Sequence, residues 1–203
     1  MLSWLIRGML SGKAYTENKE ADAMKQKIVG QKVSVDQAVA REDLISPIAA
    51  AADYADCYRF DLLAAKPMDA RALQLALWST QPWIVEKLLA LRELLVRPLG
   101  LQSGRPPAEE WVSQGERSRK LYTSGKLVDE QVITVDDKHL RFLVSIKTVS
   151  WPHTDQKRVL VTTAVYWHNF LGRLYFAAIR PVHGTVVSMS MTHILRKLTE
   201  EEK

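Results

Sequence analysis

From about residue 127 onward, apolar residues recur at every second position, in runs separated by only a few polar residues. Side chains alternate across a strand, so this is the period of half-buried β-structure. It predicts strands near residues 127–135, 139–149, 158–168 and 173–180. The connections are short, which makes an antiparallel meander the natural arrangement. One earlier run shares the period. In "DYADCYRFDLL", Tyr58, Phe60 and Leu62 alternate with Cys57, Arg59 and Asp61, and the second set is expected on the outward face.

Helical spacing fills the rest. Asp69 can cap "ARALQLALWS", where Leu73, Ala76 and Leu77 share a face. Pro82 suits a first helical position, and Ile84, Leu88, Leu91 and Leu95 then form a stripe that Pro98 and Gly100 end. A last helix is expected after Pro181, with Val187, Met191, Ile194 and Leu198 on one face. Ser34 and Gln37 have capping-box spacing, with Pro47 closing the short helix they would start. Residues 102–120 are rich in Pro, Gly and charge and are expected as a long loop, with Trp111 tucking it onto the core. The order is strand, two helices, several antiparallel strands and a long C-terminal helix. It describes an α+β chain whose curved sheet wraps around that helix, and the apolar space between them is the setting of a small-molecule pocket.

In front of this unit, residues 1–41 are expected as an extension, leaving 42–203 as the domain. Leu2, Leu5, Ile6, Met9 and Leu10 follow an amphipathic helical stripe, interrupted by Arg7. Such a helix docks on its own domain, on a second copy to make a homodimer, or on a membrane surface, though one short helix with one Arg is a weak anchor. A polar, lysine-rich linker follows through residue 33.

Charge narrows the partners. The net charge is +5, and its Lys and Arg residues are scattered rather than gathered in a stripe, so nucleic acid is not expected. A single cysteine, Cys57, excludes an internal disulfide and fits a reducing, cytoplasmic setting, peripheral to a membrane at most. No apolar run reaches the roughly 20 residues of a membrane span. The five histidines lack ligand spacing, so neither a metal nor another cofactor is expected.

Two stretches could carry chemistry. In "TVDDKHLRFLVSIKT" two carboxylates, a lysine and an imidazole stand side by side at Asp136, Asp137, Lys138 and His139. Alternation puts Leu140, Phe142, Val144 and Ile146 on the core face and His139, Arg141, Ser145 and Lys147 on the other. That favours a hairpin turn over residues 136–138, with Asp137 or a backbone carbonyl orienting the His139 ring. An acid–base pair of Asp137 and His139 is the sharper alternative. In "TTAVYWHNFLGRLYFAAIRPVH", Tyr166 and His168 end one strand and Arg173 and Tyr175 begin the next. His183 would stand at a helix start, where backbone N–H groups favour an anion. This predicts a ligand site of Trp83, Tyr166, His168, Arg173, Tyr175 and His183. The plainer reading is a hydrogen-bonded network tying sheet to helix.

"DYADCYRF", "LALRELLVRPLGL", "DDKHLRF" and "HNFLGRLYFAAIRPVH" together resemble an uncharacterised bacterial family, domain of unknown function 2867, over about residues 43–198. The resemblance implies a helix-grip fold, the kind shared by lipid-transfer, pollen-allergen and polyketide-cyclase proteins. Family members also occur fused to short-chain-dehydrogenase-like domains, whose redox activity does not carry over. Asp56, Asp136, Asp137, Lys138, His139, His168, Asn169, Gly172, Arg173 and His183 match its motifs, with no roles assigned.

Three functions follow as expectations. The first is a module binding a small hydrophobic or amphipathic molecule between sheet and helix. The second is a cyclase, hydrolase or isomerase with His139 or His168 as general base and Asp137 behind it. The third is an interaction protein docking through its N-terminal helix.

Overall fold

The computed structural model describes residues 28–64, 66–80, 82, 83, 85–87, 90 and 117–201. In chain order the elements are β1 (Gln31–Val33), α1 (Val35–Ala38), α2 (Ser46–Ala51), β2 (Tyr54–Leu63), α3 (Ala70–Ser79), β3 (Arg117–Thr123), β4 (Lys126–Asp136), β5 (Leu140–Ser150), β6 (Gln156–Trp167) and α4 (Phe170–Glu201). The strands form one antiparallel sheet in the order β1-β2-β6-β5-β4-β3. The meander expected after residue 127 is present. Its first turn is tight, with Ser124 and Gly125 at φ 48° and 71°, the positive angles a two-residue hairpin loop requires.

Each face of the sheet has its own cover. On one, Phe60, Ile133, Ile146, Val159 and Val161 pack with Leu73 of α3 and Met191, Ile194 and Leu195 of α4. Burying a side chain of this size stabilises by about 1.5–3 kcal/mol. On the other, Val132, Leu143 and Ala164 pack against Ile45 and Ala49 at α2.

Consecutive residues of β4 hold the two covers in place. The Asp129 carboxylate accepts from the Ala70 N–H (2.9 Å) at the start of α3. Asp69 caps the same helix as expected, accepting from Ala72 N–H (2.8 Å). Lys120 Nζ bridges the two carboxylates, 2.7 Å from Asp69 and 3.4 Å from Asp129. Neighbouring residues on a strand point to opposite faces, so Glu130 serves α2. It accepts from Leu44 N–H (2.7 Å), Ile45 N–H (3.2 Å) and the Ser145 hydroxyl (2.9 Å).

Several expectations are corrected. Residues 173–180 are not a strand. They belong to α4, which begins at Phe170 and runs for 32 residues with Pro181 inside it. Cys57 is not outward-facing but fully buried, because α2 and its flanks cover that face, and the Thr162 hydroxyl lies 3.3 Å from its sulfur. Pro47 lies in the first turn of α2 rather than ending a helix, and Ser34 makes no side-chain cap to the four-residue α1. The charged stretch read as the end of a long loop contains β3, and the linker contains β1. After Pro82 the Glu86 N–H donates to the Pro82 carbonyl (3.1 Å), the first turn of the second expected helix. The rest of its stripe, Trp111 and the N-terminal amphipathic segment lie outside the described residues.

Candidate functional site

The "DDKH" stretch is a hairpin loop between β4 and β5, closed by the Asp137 N–H donating to the Leu140 carbonyl (3.0 Å). The first turn of α4 is stapled onto it. Asn169 caps the helix, its side-chain oxygen accepting from Gly172 N–H (3.1 Å), while its amide donates to the Lys138 carbonyl (3.0 Å). The His168 N–H donates to the His139 carbonyl (3.0 Å). A Cβ on Gly172 would overlap that same carbonyl oxygen, so only glycine allows this approach. His139 is buried (3% exposed), with its Nδ1 3.0 Å from an Asp137 carboxylate oxygen and its ring edge-on to Tyr175 at 5.0 Å. It therefore sits on the α4 side and not with Arg141, Ser145 and Lys147, because it precedes the strand and escapes its alternation. Asp136, at the end of β4, meets His168 Nε2 at 2.7 Å in the open.

A second group lies midway along α4. Asp56 of β2 is 2% exposed. One carboxylate oxygen accepts from the Tyr54 hydroxyl (2.7 Å), and the other lies 3.5 Å from His183 Nε2. Burial pushes the Asp56 carboxyl upward, but the His183 ring, the Tyr54 hydroxyl and the Lys32 ammonium outweigh it and hold the group below the usual aspartate range. Burial and the neighbouring carboxylate raise both phenols, Tyr54 and Tyr58. Gly184 makes the packing fit, since a Cβ there would overlap the Tyr58 hydroxyl.

Above this group opens a cleft of about 470 Å³, lined by Lys32, Tyr58, Arg180, Thr185, Ser188 and Met189 among others. The Arg180 guanidinium lies 5.3 Å from the centre of the Tyr54 ring. Among the described residues no carboxylate lines the cleft, so two cations and three hydroxyl side chains face one opening. Such a surface suits an anionic head group.

The six residues expected to form one ligand site do not come together. Tyr166 points to the α2 face, donating to the Ile48 carbonyl (2.5 Å). Tyr175 packs on His139, and His183 lies two turns further along α4, not at a helix N-terminus, so the anion argument made for it there fails. Arg173 is exposed, 5.7 Å from the Trp167 ring, and Trp83 is 64% exposed beside Lys87. His183 alone adjoins the cleft. Lys32, Tyr58 and Arg180 were missed because no spacing joins them: about two turns of α4 separate Arg180 from Gly172, and Lys32 comes from an edge strand. Among the described residues no group of three His, Cys, Asp or Glu could hold a metal ion. No described helix is long and apolar enough to cross a membrane.

A family model, a protein of unknown function (DUF2867), matches residues 48–190. The chain belongs to this family. Asp56, the hairpin staple, His183 and the α4 side of the cleft fall inside the matched span, whereas Lys32 precedes it. No curated protein and no solved structure matches the chain.

Proposed function

We propose that this DUF2867 chain is a ligand-binding module of the helix-grip type, taking a small amphipathic acid in the cleft between β1–β2 and α4. The sheet-then-long-helix order supports the fold assignment, with the domain running from about residue 42 and β1 added to its edge. The observation that carries the function is the placing of Lys32 and Arg180 on one opening of about 470 Å³ with no carboxylate among its described lining residues. That volume lies within the range of small-molecule sites. The space between sheet and α4 is occupied by Phe60, Ile133, Ile146, Met191 and Leu195. The ligand therefore lies along the helix rather than in a hollow core. Arg180 and Lys32 hold its acid group, and Met189 meets its apolar part.

The test is a thermal-shift series with octanoate and longer straight-chain carboxylates and the matching alcohols. Acids should raise Tm and alcohols should not. Arg180→Gln and Lys32→Gln should each remove the response. A ligand at 100 times its Kd adds about 2.7 kcal/mol of stability. A response to alcohols and acids alike, or one indifferent to both substitutions, would sink the reading.

A second reading is an enzyme using a histidine base. The Asp56–His183 pair favours it, since a buried carboxylate oriented on an imidazole is the usual support of a general base. Asp137–His139 has a shorter contact but is closed off beneath Tyr175, and His168–Asp136 stands in the open. Turnover abolished by His183→Gln with ligand affinity kept would select this version.

A further inference from the structure

The α2 face of the sheet carries two guanidiniums that the rest of the fold does not consume. Four acids there are committed. Asp43 takes Lys147 Nζ (2.6 Å) and the Ala40 N–H (2.8 Å). Glu130 takes two backbone N–H groups and Ser145. Asp53 accepts from the Trp167 N–H (2.8 Å), and Asp136 goes to His168 (2.7 Å). Of the cations, Lys147 is paired with Asp43 and Arg119 donates to the Glu42 carbonyl. Two guanidiniums remain, Arg117 of β3 and Arg141 of β5. Among the described residues neither has a carboxylate within ion-pairing distance, although Asp136 sits directly across the ladder from Arg141.

Both arginines line one pocket of about 220 Å³, with Thr134, Leu143, Tyr166 and Ile48. The Arg141 guanidinium lies over the Tyr166 ring at 4.8 Å, and its Nε is buried without a hydrogen-bond partner. The Tyr166 hydroxyl is held by the Ile48 carbonyl (2.5 Å), so the ring is a fixed platform for the guanidinium. Holding two like charges on one small opening costs energy that a bound anion would recover.

We propose that this pocket is a second binding site, separate from the cleft on α4, for a small carboxylate anion. Arg117 and Arg141 would grip the carboxylate and Thr134 would donate to it, while Ile48 and Leu143 accept a short apolar tail. The pocket is smaller than the sites of drug-sized ligands, which limits the occupant to a short-chain or single-ring acid. Phosphate would satisfy the arginines but leave the apolar wall unused.

Titration calorimetry of the full chain with butyrate, benzoate and inorganic phosphate, up to about 20 mM, covers the millimolar range. The organic acids should bind, and phosphate more weakly. Arg141→Gln and Arg117→Gln should each weaken binding by about tenfold or more, whereas Arg196→Gln, exposed on α4 and lining neither opening, should leave it unchanged. Arg117 is exposed and its replacement keeps the test valid if Arg141→Gln fails to fold. No heat with any acid, a response unaltered by Arg117→Gln, a response lost in Arg196→Gln, or a preference for phosphate would each overturn the assignment.

Discussion

At the scale of single residues, Asp56 is where burial and charge compete most openly. Its carboxyl is held below the ordinary aspartate value in the fold. A depressed acid contributes stability that is fully present above its unfolded pKa of about 3.9 and lost as pH falls through the lower folded value. Urea unfolding should therefore show stability falling below about pH 4, and Asp56→Asn should flatten that acid limb. A variant with the same limb as the parent would place the loss elsewhere. Gly184 gives a second residue-scale test. In an open helix, Gly→Ala gains about 1 kcal/mol. Here the added methyl meets the Tyr58 hydroxyl, so Gly184→Ala should lower Tm. Adding Tyr58→Phe should restore part of the loss, a non-additivity that a double-mutant cycle reads directly. Asp137→Ala should cost about 1 kcal/mol, the scale of one hydrogen bond, and leave ligand binding intact, because the carboxylate orients a ring already closed beneath Tyr175.

At the scale of elements, β4 acts as a double bracket, with Asp129 capping α3 on one face and Glu130 holding α2 on the other. Glu130→Ala strands two backbone donors and a hydroxyl. At about 1–3 kcal/mol for each buried group left unpaired, chemical denaturation should show a loss of at least about 3 kcal/mol. A loss under about 1 kcal/mol would mean that water replaces the carboxylate. The elements also divide cleanly by how readable they were. β4, β5 and β6 were legible because one apolar face alternates with polar or covered positions. The edge strands were not. "QKV" and "RSRKLYT" carry the lysines and arginines that keep sheet edges from pairing with other chains, and that charge reads as loop. The first half of α4 misled for a different reason. Phe170 and Leu174 are apolar yet 78% and 56% exposed, so they blur the 3.6-residue stripe made by Gly172, Phe176 and the half-buried Ile179 and His183. Pro181 then imitates a helix start. It is tolerated mid-helix at a cost of about 3 kcal/mol.

At the scale of the whole molecule, eight of the ten residues named with the family resemblance separate into two jobs. Asp137, Lys138, His139, His168, Asn169 and Gly172 fasten the start of α4 to the β4–β5 hairpin. His183 lies about three turns further along the same helix, against Asp56 of β2 and under the cleft. The staple fixes where α4 begins, and so fixes where Arg180 meets Lys32 across the opening. The candidate site was thus only partly readable. His183 could be picked out as a chemical residue, but its partners come from an edge strand, from β2 and from a helix whose register was hidden. The central claim is that this cleft binds the acid group of a small amphipathic molecule. Amide chemical-shift mapping by NMR during titration with octanoate tests it most directly. The predicted result is saturable shifts concentrated at Lys32, Gly184, Thr185 and Ser188 and absent in Arg180→Gln. Shifts that never saturate, or that spare these four residues while the protein binds, would contradict it.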